Sequence, residues 1–272
     1  MKKIKFCPKS FFIIALLALF FTACNDNDDS NQTARMMVRM TDAPGDYDEV
    51  NIDVQDIMIK TSTDTGEEGW ESIVSDDFVP GVYNLLDLTG GVSLLLADNV
   101  VPAGELGQIR LVLGENNTLV KGDEVIDLST PSAMQSGLKL MVNQTLQAGA
   151  TYEFVLDFDV SKSIVTAGTS GSFNLKPVIR VSATATSGAI KGKIDPILEG
   201  YQVEASVQVG DVDPIIALVN EETGMFQLNG VPAGTYTVTL TPNVASGKTP
   251  IVIENVVVEN GEVTDVGSVA FE

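Results

Sequence analysis

Apolar residues occupy every second position in most runs after Val38, and this period limits the fold more than any other feature of the chain. The clearest run extends from Tyr152 to Val160, with Glu153, Asp157 and Asp159 between the apolar positions. A period of two places the apolar side chains on one face of a β-strand, whereas a helix needs a period of 3.6. The period therefore predicts an all-β protein.

Four shorter runs have the same period, and turn sequences separate the runs from one another. The four runs are 50–59, 109–113, 138–142 and 178–181. Within the first run the phase slips after Asp56, which predicts a β-bulge. Two stretches, 85–88 and 93–97, are candidates for short helices. Many short strands with one apolar face favour antiparallel β-sandwiches.

The chain is expected to contain two such sandwiches in sequence. Small polar residues at 183–188 separate the first strand series from a second one that starts at Ile190. We therefore place a first sandwich at 35–186 and a second at 187–272. The tetrapeptide Val-Pro-Ala-Gly occurs in both, at 101–104 and at 231–234, and 146–152 is a looser copy. The repetition predicts similar hairpin corners in the two domains.

Two regions resemble known families. The segment 224–238, with Phe226 and Leu228 before the turn and Tyr236 and Val238 after it, resembles the carboxypeptidase-regulatory-like family, which implies a transthyretin-like sandwich over 187–272. Residues of about 36–184 resemble the family known as domain of unknown function 4382. The matching segments are 40–50, 108–111, 135–139, 156–159, 163–165 and 175–181. The second resemblance implies a secreted or lipid-anchored bacterial protein of β structure without an established activity.

The first 23 residues have the pattern of an export signal. A lysine-rich start precedes an apolar run at 11–21, which is too short to span a bilayer. The run ends at Thr22-Ala23-Cys24, which resembles the lipobox of bacterial lipoproteins. Residues 1–23 are therefore predicted to be removed, and Cys24 is predicted to carry the lipid that anchors the protein.

An acidic segment follows the predicted lipidation site. Residues 25–30 are Asn, Asp, Asn, Asp, Asp and Ser, and this run resembles the surface-export signal of Bacteroidota lipoproteins. We expect residues 24–34 to form a flexible tether. The expected location is the outer membrane, exposed at the cell surface, with the periplasmic face as the alternative.

Charge and composition exclude several classes of function. The chain has 16 Lys and Arg against 37 Asp and Glu, and the four leader lysines leave 12 cations once the signal is removed. A nucleic-acid partner is excluded because phosphate binding requires clustered cations. No histidine is present, and Cys7 is lost with the leader. The catalytic dyads and zinc sites that need imidazole are therefore excluded, and we expect no enzyme activity.

Asp157 and Asp159 lie two positions apart on one face of a predicted strand. Such a pair could bind calcium or flank a glycosidic bond. The favoured interpretation is cross-strand ion pairing with a cation such as Arg110 or Arg180.

The densest acidic stretch runs from Asp42 to Asp56 and includes Asp46 and Asp48. It contains no regular calcium loop. An irregular calcium site is the alternative to a turn followed by a solvated strand face. No cofactor is expected, and calcium is the candidate ion.

Trp70 is the single tryptophan and lies in a predicted hairpin loop. An exposed indole can stack on a sugar ring or anchor a protein partner. Packing over the strands of its own hairpin is the favoured alternative.

We expect a lipid-anchored surface protein that acts as a non-catalytic binding or envelope structural module and recognises a glycan or a protein. Its loops or sheet edges would make the contact. One alternative is a calcium-dependent adhesion or glycan-processing accessory. The other is a surface filament subunit that assembles by strand addition.

Overall fold

The computed structural model describes residues 32–43, 45, 47–64, 66–130, 137–167, 172–212 and 214–272. The predicted signal at 1–23, Cys24, most of the predicted tether and Asp46 lie outside the described residues. Thr33–Glu272 forms one compact unit.

Strands dominate the described part of the chain, as the period of two predicts. Thirteen precede residue 184: β1 Thr33–Ala43, β2 Glu49–Lys60, β3 Glu71–Ser72, β4 Gly81–Asn84, β5 Leu94–Pro102, β6 Gly104–Leu113, β7 Thr118–Lys121, β8 Glu124–Ser129, β9 Leu138–Leu146, β10 Thr151–Asp159, β11 Ile164–Ala167, β12 Ser172–Leu175 and β13 Ile179–Ala183. Seven follow: β14 Gly188–Ile194, β15 Val203–Val207, β16 Ile215–Leu218, β17 Met225–Val231, β18 Gly234–Pro242, β19 Ile251–Val258 and β20 Val263–Val269.

The helices in the described residues are single turns at Leu85–Leu88, Val160–Ser163 and Val244–Ser246. None of them could cross a membrane. The first coincides with one predicted helix, but the helix predicted at 93–97 is wrong. Those residues belong mostly to β5, because pairing with β1 satisfies their backbone groups in the extended conformation.

Two sheets form the first sandwich. One has the strand order β13-β10-β1-β5, and the other has the order β11-β12-β8-β7-β2-β6-β9 with β3 and β4 also paired to β2. Their facing apolar side chains form one core, which includes Met36, Met40, Phe154 and Phe158, all fully buried. The predicted bulge is confirmed, because the register of β2 against β6 shifts between Val54 and Asp56.

Two smaller sheets form the second sandwich, with the orders β17-β14-β20 and β16-β15-β18-β19. Their core is separate from the first and includes Phe226, Leu228 and Leu240. The predicted all-β sandwich architecture is thus confirmed. Most strand pairs are antiparallel, while β1–β10, β8–β12 and β14–β20 are parallel.

The Val-Pro-Ala-Gly segments do form similar corners, but the corners are not hairpins. The segment at 101–104 joins β5 to β6, which lie in different sheets of the first sandwich. The segment at 231–234 likewise joins β17 to β18 in different sheets of the second, and 146–152 joins β9 to β10 in the same manner. A corner of this kind carries the chain across the core, because both strands must keep an apolar face toward it.

Candidate functional site

The parallel pairing of β1 with β10 brings together three of the predicted site residues. In this register Asp42 lies opposite Phe158, and Thr41 and Ala43 lie opposite Asp157 and Asp159. The acids come from two stretches that are more than 100 residues apart in sequence. The sequence alone could not show that these acids are close together, because which strands pair in a sheet is decided by the tertiary structure.

Asp42 occupies the core-facing phase of β1 and is 5% exposed. Neither of its carboxylate oxygens has a hydrogen-bond partner among the described residues. Burial raises the pKa of Asp42 well above its ordinary value, and the neighbouring charge of Asp157 raises it further. The backbone N–H of Val160 faces the carboxyl without reaching hydrogen-bond geometry and partly offsets this rise. Asp42 is therefore favoured as a neutral acid.

Asp157 lies on the opposite face of the sheet and is 8% exposed. Arg180 of β13 is its direct cross-strand neighbour, and the Nη2 atom of Arg180 donates to Oδ2 of Asp157 at 2.5 Å. The same Nη2 donates to the backbone oxygen of Asn229 in β17 at 2.7 Å. Burial raises the pKa of Asp157, and the guanidinium acts in the opposite direction. The favoured cross-strand ion pair is present, and it also ties the two sandwiches together.

Asp159 serves the helical turn Val160–Ser163. Its Oδ1 accepts the backbone N–H of Lys162 at 3.1 Å and the hydroxyl of Ser161 at 2.6 Å. Its Oδ2 lies 2.9 Å from Nζ of Lys162. This is an N-cap with a local ion pair.

Asp48 is also used locally, since its Oδ2 accepts the N–H of Gly122 at 2.6 Å. Within the described ranges no group of three or more acidic, Cys or His side chains has the arrangement of a metal site. Calcium binding therefore stays a prediction.

Trp70 lies on the outer face of the larger sheet of the first sandwich. Its ring centroid is 4.0 Å from Cζ of Arg110 in β6 and 5.8 Å from Nζ of Lys60 in β2. Nη2 of Arg110 also donates to Glu67 at 2.6 Å. The indole is half-buried against the strands next to its own loop, which is the packing that the sequence favoured, and its role as a ligand anchor stays a prediction.

A groove lies between the two sandwiches, and we call it the junction groove. No sequence motif predicted it. It has a volume of about 270 Å³ and is lined by Arg39, Glu153 and Ser182 from the first sandwich and by Gln227 and Asn229 from the second. Nε of Arg39 donates to Oε1 of Glu153 at 2.7 Å. Nε2 of Gln227 donates to Oδ1 of Asn229 at 2.7 Å.

The five residues named above lie on β1, β10, β13 and β17. Their polar side chains are on the strand faces that point away from the two apolar cores. The only sequence signal for them was the polar phase of the alternation, which ordinarily means exposure to solvent. Here the second sandwich covers part of that face. The result is a concave surface that combines polar side chains with a larger apolar area, and its polar side chains can bind a ligand that has hydrogen-bonding groups.

The fold and the groove define the class: a double β-sandwich protein with a groove between its two sandwiches. The model of the family described as Domain of unknown function (DUF4382) matches residues 33–177. The chain belongs to this family. No curated protein matches it.

Solved structures give distant matches. The Bacillus anthracis TIE protein has a TM-score of 0.23 and 13% identity, covering 88% of this chain and 34% of its own. A leucine-rich repeat protein from Bacteroides thetaiotaomicron has a TM-score of 0.20 and 13% identity, covering 88% of this chain and 26% of its own. The Streptococcus pyogenes major pilin T-13 has a TM-score of 0.17 and 9% identity, covering 89% of this chain and 99% of its own. The chain thus spans about a third and a quarter of the first two, and TM-scores this low carry no argument about function.

Proposed function

We propose that the protein is a non-catalytic binding module that recognises a glycan or a protein through the junction groove. It is anchored to the outer membrane by a lipid on Cys24 and held at the cell surface by the acidic tether at 24–34. The export leader and the lipobox resemblance support the anchor. The second sandwich is proposed to be a carboxypeptidase-regulatory-like, transthyretin-like domain that supplies one wall of the site.

The junction groove is the observation that carries this proposal. Both sandwiches contribute polar side chains to it, and Arg180 links Asp157 on one side to the backbone of Asn229 on the other. Close backbone packing supports a fixed geometry. A Cβ atom on Gly230 would lie 2.6 Å from Cβ of Ser182 across the junction. A preformed groove loses little conformational entropy when it binds a ligand, which is the usual basis of recognition without catalysis.

A binding screen tests the proposal. The full-length lipidated chain in detergent is applied to a glycan array and, separately, used to capture proteins from the surface fraction of the source cells. The double variant Gln227→Ala, Asn229→Ala removes groove amides. Gln208→Ala is the matched control, because this exposed glutamine bonds only to its own loop.

We expect a ligand whose binding is lost in the double variant and kept in the control. Absence of any ligand on both platforms, or binding that the double variant leaves unchanged, would overturn the groove as the recognition site. Mass spectrometry of the mature N-terminus tests the anchor, and an unmodified Cys24 would contradict it.

A further inference from the structure

Two arginines on the same face of β1 use their guanidinium groups differently. Arg35 donates from Nε and from Nη2 to the two carboxylate oxygens of Asp98, at 2.7 and 2.6 Å. Arg39 donates from Nε alone to Glu153. Its two Nη atoms make no hydrogen bond to any described residue. The guanidinium of Arg35 therefore makes a bidentate pair with a carboxylate, whereas the guanidinium of Arg39 is bonded through Nε alone.

The guanidinium of Arg39 belongs to the junction groove. The side chain of Arg39 is 35% exposed and lines the groove. On the opposite wall, Oε1 of Gln227 and Nδ2 of Asn229 also lack hydrogen-bond partners within the described ranges. The residues that line the groove thus include a guanidinium whose Nη atoms are not bonded to described residues, and on the other wall an amide acceptor and an amide donor.

This set of groups selects a chemical class of ligand. A guanidinium edge with two N–H groups matches a carboxylate in a bidentate pair. Amide groups facing it match hydroxyls, which both donate and accept. The volume of about 270 Å³ lies just below the roughly 300–1,000 Å³ of ordinary small-molecule pockets. A compact ligand unit with one carboxylate and several hydroxyls fits this description.

We propose that the junction groove binds a uronic-acid residue of an acidic polysaccharide, with the sugar carboxylate on the Nη atoms of Arg39 and its hydroxyls on Gln227 and Asn229. This inference rests on the proposed function, since it names the ligand class of the same groove. The lining combines polar side chains with apolar surface that includes Val155 and Val263, and a sugar can use both because its ring carries hydroxyls and C–H groups.

The formal charge of −21 does not exclude an anionic ligand. Charges farther away than about 8 Å are screened at physiological ionic strength. Within the groove, Glu153 and Glu262 place two carboxylates beside the single guanidinium of Arg39, so a bound carboxylate has to be held by direct hydrogen bonds to Arg39 and not by the net charge of the lining. The contact with Arg39 therefore decides the selectivity.

The test uses oligosaccharides of galacturonic, glucuronic and mannuronic acid, each beside its carboxyl-reduced neutral counterpart. Affinity for the full-length chain is measured by isothermal titration calorimetry. We expect at least one acidic oligosaccharide to bind about tenfold more tightly than its neutral counterpart, the ratio expected for one charge-assisted contact. Arg39→Gln should abolish this difference. Arg35→Gln makes the same charge change on the same strand and should preserve it.

Circular dichroism melting of both variants checks that they fold, and Arg39→Lys provides a second variant that keeps the charge and loses the fork. It should retain only part of the preference for the acid. Equal binding of acidic and neutral sugars, or equal losses in Arg35→Gln and Arg39→Gln, would overturn the inference while leaving a glycan site in the groove. Binding of a protein alone would overturn it and leave the proposed function in place. No ligand in either screen would remove both.

Discussion

The first sandwich has polar side chains on the outer faces of both of its sheets, and the two faces are covered in different ways. On the larger sheet, loop residues 61–64 and 66–70 of the same sandwich lie over Lys60, Gln108 and Arg110, which are 4%, 2% and 7% exposed. On the smaller sheet, the second sandwich lies over Asp157 and its neighbours. A short loop on one side and a whole sandwich on the other thus each cover the polar outer face of a sheet.

The loop supplies partners for most of the charged and amide groups below it, although Nε of Arg110 and Nε1 of Trp70 have no hydrogen-bond partner among the described residues. Nζ of Lys60 donates to Oδ1 of Asp64 at 2.6 Å, and Nε2 of Gln108 donates to the backbone oxygens of Ser62 and Asp64 at 2.9 Å. Glu67 accepts from both Arg110 and Lys139. A loop can adjust each backbone angle to the groups below it, so nearly every charge finds a partner.

The junction is different because two rigid sandwiches meet there. Close contacts occur where glycines let the backbones approach, as at Gly230. Elsewhere the surfaces do not match, which leaves the junction groove, and the bare carboxyl of Asp42 lies at the core edge of the same sheet. The difference teaches that a loop closes over the sheet that it covers, whereas two preformed surfaces leave a groove between them, and the polar groups of that groove are the ones that a ligand can reach.

The largest expected effect concerns the ion pair at the junction. Arg180→Met leaves Asp157 buried without its partner and removes the bond to Asn229, so we expect a loss of about 3 kcal/mol in unfolding free energy. Urea denaturation measures it. Lys176→Met replaces a nearby exposed cation and should cost less than about 0.5 kcal/mol. Similar losses in the two variants would contradict the role of Arg180 as the partner of the buried Asp157.

A pair of glycine substitutions compares the packing of the two covers. Gly69 and Gly230 both have positive φ angles, of 80° and 70°. A Cβ on Gly69 meets only the end of Lys60 at 3.9 Å, whereas one on Gly230 meets Ser182 at 2.6 Å. We expect Gly69→Ala to cost about 1 kcal/mol and Gly230→Ala about 2 kcal/mol, since only the second adds overpacking to backbone strain. Equal costs in thermal denaturation would show that the junction yields as easily as the loop.

Two acids of the first sandwich, Asp42 in its core and Asp64 in the covering loop, should make stability respond to pH in opposite directions. The pKa of Asp42 is raised above its ordinary 3.8, so its contribution to stability is full below that value and is lost as the pH rises through the raised pKa. The Lys60 contact and local hydrogen bonds lower the pKa of Asp64 to about 2, so its contribution is present above its ordinary pKa and is lost as the pH falls toward 2.

The slope of stability against pH measures the Asp42 effect. Within its window the wild type should lose up to about 1.4 kcal/mol per pH unit from this group, and Asp42→Asn should remove that part of the slope. Urea midpoints between pH 4 and 8 provide the measurement. Parallel curves for the two proteins would show that Asp42 ionises freely in the folded state.

The smallest expected effect concerns the loop. Glu67 is 60% exposed in its side chain, so solvent screens its ion pairs and Glu67→Gln should change the free energy of unfolding very little. Because Trp70 is the single tryptophan and stacks on Arg110, its emission should shift to the red as the loop loosens. Glu68→Gln, at the exposed neighbouring position, is the control. An unchanged spectrum in Glu67→Gln would mean that the stacking alone holds the loop.

Local patterns were enough to predict several features. The alternation predicted the strands and the bulge near Asp56, and the choice between ligand and packing for Trp70 favoured the packing that is observed. The cross-strand partner of Asp157 was among the candidate cations. These predictions succeed because they depend on the side-chain period and on residue chemistry, and both are local properties of a single strand.

The sequence could not distinguish hairpins from corners that cross the core. Val-Pro-Ala-Gly at 101–104 and 231–234 has the turn chemistry of both, and only the partners of β5, β6, β17 and β18 decide between them. The helix predicted at 93–97 failed for the same reason, because the partner strand of β5 lies more than 50 residues earlier in the chain.

The sequence by itself determined that this chain forms β-sandwiches with an apolar phase toward the core and a polar phase away from it. The tertiary structure alone decided what that polar phase faces. The local conformation of a strand fixes the direction of its side chains. Whether these side chains face solvent, a loop or another sandwich depends on contacts between parts of the chain that are far apart in sequence. Arg39 therefore looks like an ordinary solvated residue in the sequence, and Asp157 looks like one member of a surface ion pair. The second sandwich makes Arg39 a groove residue and lies against the pair of Asp157 with Arg180.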